Sequence, residues 1–267
     1  MPGQVHIERR DGIGWIVFDH PERRNAMTGQ MWSELASGAR SLDADDTVRV
    51  IVMRGEGETA FVSGADISQF QPAAEPDAAA SSGEGGDRID PSESNVFEIL
   101  EGLDKPLIAS IHGYCIGGGL AIALCADMRY AADDATFAIP AARLGVGYGF
   151  GAVEQLARVV GPSSAQEILM TARRYSASEA LGMGLVNRVH GKAELAERVA
   201  ELVDDIAANA PLSVRAVKLA ARALRAGRTE AELRDVDAAI AACFESSDFA
   251  EGVRAFMEKR APRFQGR

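Results

Sequence analysis

The residues best placed to do chemistry in this chain offer backbone rather than side chains. "FVSGADI", Phe61 to Ile67, and "CIGGGLA", Cys115 to Ala121, are glycine-containing turns, each directly after an apolar run that reads as a buried strand, and the second opens a helix. Each delivers a peptide N–H from a strand end into a crevice. Two such groups aimed at one point make an oxyanion hole, and a helix N-terminus behind one of them adds partial positive charge. Turns of this kind also serve simply to let a helix pack closely on a sheet. Gly117, Gly118 and Gly119 nevertheless stand together where a helix begins, and each costs about 1 kcal/mol relative to alanine in a helix interior. Something needs bare backbone there.

Side-chain chemistry of the familiar kinds is missing. No G-x-G-x-x-G follows a strand, and there is no G-K-[ST] loop, G-x-S-x-G elbow or H-E-x-x-H helix. His112 and Cys115 suggest a nucleophile pair, but a strand-end histidine and a thiol in apolar surroundings more often belong to the core. The net charge of −11 opposes a general attraction to nucleic acid or to anionic membrane. Three cysteines without disulfide or zinc spacing fit a reducing cytoplasm, and no run approaches 18 apolar residues. The expectation is a cytoplasmic protein with no membrane span, no metal and no nucleic-acid partner.

The elements that must position the turns repeat a theme. Val5 to Glu8 and Gly14 to Asp19 read as strands around a hairpin turn at Asp11-Gly12, and "MTGQMWSELASGARSLDAD" spaces Met31, Leu35, Ala39 and Leu42 as an amphipathic helix. Buried strands follow at 48–55 and in "PLIASIHG", a helix in "GGGLAIALCAD", and a strand pair around Asp133-Asp134 in "MRYAADDATFAI". Strand, strand, helix is the unit. Residues 71–94, rich in Pro, Ala, Ser, Gly and acid, read as a mobile loop, either a lid or a tolerated surface insertion. Beyond about 151 the chain reads as helical, with capping boxes at Ser176/Glu179 and Thr229/Glu232 and helices near 192–209, 212–226 and 229–243.

Taken together, "AFVSGADI", "KPLIASIHGYCIGGGLAIALCAD", "FAIPAARLGVGYGFGAVEQLARVVG" and "YSASEALGMGLVNRV" resemble the enoyl-CoA hydratase/isomerase family, the crotonases. "HPERRNAM" and "EGVRAFMEKRAPRF" extend the resemblance over nearly the whole chain. It implies an α/β fold: a spiral of ββα units over 1–195, then a C-terminal helical trimerisation region over 196–267. It implies an acyl-CoA thioester as substrate, no cofactor beyond the CoA the substrate carries, and a homotrimer or dimer of trimers. By matching positions, the oxyanion donors are the N–H groups of Ala65 and Gly118. Arg23, Arg24, Ala65, Asp66, Ile67 and Ser68 then lie along the CoA path, and Phe256 with Lys259 matches a C-terminal pair that reaches CoA, either in its own subunit or in a neighbouring one. Read without the resemblance, Arg23, Arg24 and Lys259 are ordinary solvated charges.

The chain also departs from the family pattern. Family hydratases hold and activate water with two glutamates, and the matching positions here are Ala121 and Ala141. Where related isomerases and dehalogenases carry an acid, this chain has Gly149, and the next acid, Glu154, lies inside a helix. One polar side chain remains in that loop. Tyr148, in Leu-Gly-Val-Gly-Tyr, resembles the tyrosine of the methylmalonyl-CoA decarboxylase branch; the other reading is a loop tyrosine between two glycines. Loss of CO₂ from a malonyl-type thioester leaves an enolate without a general base, so an oxyanion hole and a weak proton donor suffice.

Overall fold

The hairpin forms where the sequence places it. Asp11 and Gly12 both take positive φ (53° and 79°), as a type I′ turn requires, and β1 (Gln4–Arg10) pairs antiparallel with β2 (Ile13–Asp19). The computed structural model describes residues 2–65 and 91–267. Asp66, Ile67, Ser68 and residues 71–90 of the expected loop lie outside the described residues, whereas 91–94 begin a helix.

After a short 3₁₀ turn at Pro21–Arg23 come α1 (Gly29–Asp43), β3 (Val50–Gly55), β4 (Ala60–Val62), α2 (Pro91–Gly102), β5 (Leu107–Ile111), β6 (Tyr114–Ile116) and α3 (Gly118–Cys125). Next are β7 (Met128–Ala132), β8 (Thr136–Ala138), α4 (Ala141–Leu144), α5 (Phe150–Thr171), β9 (Tyr175–Ser176), α6 (Ala177–Gly182) and β10 (Arg188–His190). Four helices end the chain: α7 (Leu195–Ala207), α8 (Pro211–Ala226), α9 (Glu230–Glu245) and α10 (Ser247–Glu258).

From β3 to β8, successive strands alternate between two sheets. The larger runs β1-β2-β3-β5-β7-β10, parallel from β2 onward, and the smaller runs β4-β6-β8-β9. Each turn of the spiral therefore lays one strand in the large sheet, one in the small sheet, and a helix across them. This corrects the expected strand pair at 128–138. β7 pairs with β5 and β10, β8 pairs with β6 and β9, and the Asp133-Asp134 turn carries the chain from one sheet to the other.

The large sheet is covered on both faces, so its central strands are apolar throughout rather than alternating. In β3, Ile51 and Met53 enter the main core, while Val50 and Val52 face a second cluster closed by Leu195, Val199 and Val203 of α7. Both expected capping boxes are present, at Ser176/Glu179 and Thr229/Glu232. Helix α8 is tied to the sheet by the buried Lys218. Its Nζ lies 2.8 Å from Asp127 Oδ2 and donates to the Lys105 carbonyl at 2.6 Å.

Among the described residues, no helix is long and apolar enough to cross a membrane, and no cluster of His, Cys, Asp and Glu could hold a metal ion.

Candidate active site

The three glycines of "CIGGGLA" serve three different ends. Gly117 caps α3 with φ 55° and ψ −119°, a combination outside the regions open to residues with a β-carbon. Gly119 lets the helix lie against β4: a β-carbon there would fall 2.1 Å from the Val62 carbonyl oxygen. Gly118 is bare for neither reason. A β-carbon on it would have ordinary van der Waals room, 3.5 Å from Cζ2 of Trp32 and 3.7 Å from the Ala65 amide nitrogen. The space it would fill is the space between the two amides.

Gly119→Ala is accordingly expected to destabilise the fold. The clash is with backbone, which no rotamer change relieves, so the cost is about 3 kcal/mol or more. That corresponds to a fall in melting temperature on the order of 5–10 °C, read by thermal unfolding. A variant melting with the wild type would refute the close-packing role.

The Ala65 amide is set by its neighbours. The Met27–Ala65 bridge is parallel and runs through the Met27 N–H to the Gly64 carbonyl at 2.8 Å, which turns the N–H of Ala65 itself to the opposite side. Gly64 (φ 114°) makes the bend that allows this. Ser63 donates to the Arg24 carbonyl through its N–H (3.1 Å) and to the Arg23 carbonyl through its hydroxyl (3.1 Å). The Gly118 N–H opens α3 and so lacks an intrahelical acceptor. Helix α3 is buried from Gly119 to Cys125 and has no charged side chain in its first turn, so none of its own residues offsets its positive end.

Sequence reasoning missed the residue that holds this loop. Asn25, 1% exposed with φ 56°, accepts from the His20 N–H and donates to the carbonyls of Glu56 (3.0 Å) and Ala60 (2.8 Å). Its signal was an asparagine inside "HPERRNAM", a residue type that tolerates left-handed backbone and bonds to turns. Arg23 and Arg24 are exposed. The Arg24 guanidinium lies 4.8 Å from the Tyr114 ring centroid, with Arg174 5.6 Å from the same ring.

The remaining expected positions are dispersed. Ala121, buried, lies one turn after Gly118 on the same face of α3, and Ala141, half-buried, opens α4, so each presents only a methyl group. Tyr148 is half-buried against the main core, in a loop whose apolar neighbours Leu144, Val146 and Phe150 are exposed. Glu154 pairs with Arg158 at 2.9 Å. Phe256, 83% exposed, lies in the last turn of α10, and Lys259 caps that helix in left-handed backbone. His112 and Cys115 form no nucleophile pair: burial lowers the histidine's pKa and raises the thiol's far above its usual range, which disfavours both charged forms.

The sequence model of the family described as enoyl-CoA hydratase/isomerase matches residues 8–267. The chain belongs to that family. It is 32% identical to a crotonyl-CoA hydratase of Syntrophomonas wolfei subsp. wolfei, over 97% of each chain, and 35% identical to a carnitinyl-CoA dehydratase of Salmonella typhi over the full length of both. The crystal structure of an enoyl-CoA hydratase/carnithine racemase from Magnetospirillum magneticum superposes with a TM-score of 0.88 at 33% identity, over 98% of this chain and 96% of that one. The protein is thus an acyl-CoA enzyme of the enoyl-CoA hydratase/isomerase family with the crotonase fold.

Proposed function

We propose that the chain binds an acyl-CoA so that the thioester oxygen accepts hydrogen bonds from the N–H groups of Ala65 and Gly118, and that it stabilises the enolate formed there without a hydratase's pair of glutamates. The observation that carries this reading is the 3.7 Å between the Gly118 β-carbon position and the Ala65 nitrogen, in a space no side chain needs for packing. Negative charge growing on the thioester oxygen meets two preoriented donors and the end of α3. Arg23 and Arg24 flank the loop along which the CoA lies. Asp66, Ile67 and Ser68, outside the described residues, are assigned to the CoA by the family resemblance alone. Phe256 and Lys259 meet the CoA of a neighbouring subunit in a homotrimer or dimer of trimers. Such an assembly also covers the exposed Val217, Leu224, Phe244, Val253 and Met257 of α8–α10.

A second reading is favoured by Tyr148, half-buried against the main core while its apolar neighbours Leu144, Val146 and Phe150 are exposed. In a malonyl-type thioester the bond from the α-carbon to the carboxylate breaks, its electron pair passes into the enolate, CO₂ departs, and the Tyr148 hydroxyl returns a proton to the α-carbon. Release of CO₂ from malonyl-CoA separates this reading from a protein that only binds acyl-CoA.

Binding itself is tested by thermal unfolding with butyryl-, crotonyl- and malonyl-CoA. A ligand at 100 times its Kd stabilises the folded state by about 2.7 kcal/mol, so a clear rise in melting temperature is expected. No rise with any of the three at millimolar concentration would overturn the reading.

A further inference from the structure

Trp32 walls the space between the two amides, and its indole N–H is left unused. The side chain is 2% exposed, and Nε1 has no hydrogen-bond partner among the described residues. Buried donors are paired in the great majority of folded proteins, so an orphan beside a candidate site calls for a ligand atom. Two contacts place the ring beside the site. The Gly118 β-carbon position lies 3.5 Å from Cζ2 and 3.6 Å from Cη2, and in an indole the N–H and the Cζ2–H leave the ring side by side on one edge. The ring atom nearest to Gly118, Cζ2, is bonded to the carbon that carries the nitrogen, so the donor lies two bonds from this contact. Phe97 packs edge-to-face on the ring at 5.7 Å and limits its rotation.

We propose that Trp32 is a specificity-determining residue of the acyl pocket: its Nε1–H donates to an oxygen on the substrate's acyl group, so that the site favours thioesters bearing a hydroxyl, keto or carboxylate oxygen over plain alkyl ones. This rests on Ala65 and Gly118 being the thioester site. The thioester oxygen already has two amide donors, which leaves the indole for the next oxygen along the acyl chain. A site built around a hydrogen bond discriminates strongly against the analogue that lacks it, because its donor is then buried unpaired.

Two measurements test the proposal. The chain has two tryptophans, and Trp15 packs against the second core cluster behind the large sheet, which makes it an internal control. In ¹⁵N-labelled wild-type protein, 3-hydroxybutyryl-CoA should move the Trp32 indole proton downfield by more than butyryl-CoA does, with the Trp15 signal stationary. Trp32→Phe keeps an aromatic wall and removes the donor. It should narrow the ratio of the butyryl-CoA to the 3-hydroxybutyryl-CoA Kd by about tenfold. If that variant does not fold, the wild-type spectra decide. A Trp32 signal that responds equally to the two thioesters, or a Kd ratio unchanged in Trp32→Phe, would overturn the assignment. If neither thioester binds, the thioester site itself is wrong.

Discussion

Crotonyl-CoA hydration by this chain is expected to run about 10⁴-fold or more below that of a hydratase carrying both glutamates. Water must be deprotonated as it attacks the β-carbon, and the α-carbon must be protonated. A positioned acid or base contributes about 10²–10⁴-fold to such a step. Ala121 and Ala141 present methyl groups at the two matching positions, Gly149 has no side chain where relatives carry an acid, and among the described residues of that segment the next acid, Glu154, pairs with Arg158. Catalytic groups that act as a unit fail together, so the two losses need not multiply. Steady-state hydration of crotonyl-CoA is the check. Restoring both groups, Ala121→Glu with Ala141→Glu, should raise the rate. Wild-type protein working at an ordinary hydratase rate would contradict the argument.

The second large effect concerns a single N–H. Gly118→Pro deletes the donor at the first position of α3, where proline is well tolerated because that N–H has no intrahelical acceptor. The fold should survive while turnover of the physiological thioester falls by about 10²–10³-fold or more, since the loss of one oxyanion donor is joined by ring carbons entering the space between the amides. Circular dichroism and thermal unfolding establish that the variant is folded. The contrast with Gly119→Ala is informative, because adjacent glycines are predicted to fail differently, one in catalysis and one in stability. A folded Gly118→Pro variant with unimpaired turnover would remove this amide from the site.

Much of the fold was legible because its local signals are strong. The Asp11-Gly12 turn, the Ser176 and Thr229 capping boxes, and the apolar stripe of α1 each announce a conformation that the structure adopts. The second sheet was not legible. β4, β6 and β8 are three residues long, too short to display a period, and their partners are distant in sequence, so the 128–138 segment looked like a local hairpin. Helix α10 was also missed as an element, although its sequence contributed to the family resemblance.

At the site, the glycines signalled bare backbone, but only the structure separates their roles: conformation at Gly117, open space at Gly118, close packing at Gly119. Trp32 was invisible as a pocket residue. A tryptophan on the buried stripe of an amphipathic helix reads as core, and its unpaired nitrogen appears only in three dimensions. Phe256 and Lys259 were named from the family resemblance alone; in the chain itself they are an exposed ring and a helix cap at the end of α10.

The central claim is that the amides of Ala65 and Gly118 polarise a bound thioester carbonyl. Its most direct test is the infrared C=O stretch of bound butyryl-CoA, isolated by ¹³C labelling of the carbonyl carbon. The account predicts a stretch at lower frequency in the wild-type complex than in free butyryl-CoA, and a return toward the free value in Gly118→Pro. A bound carbonyl that absorbs at the free frequency in the wild-type protein would contradict it.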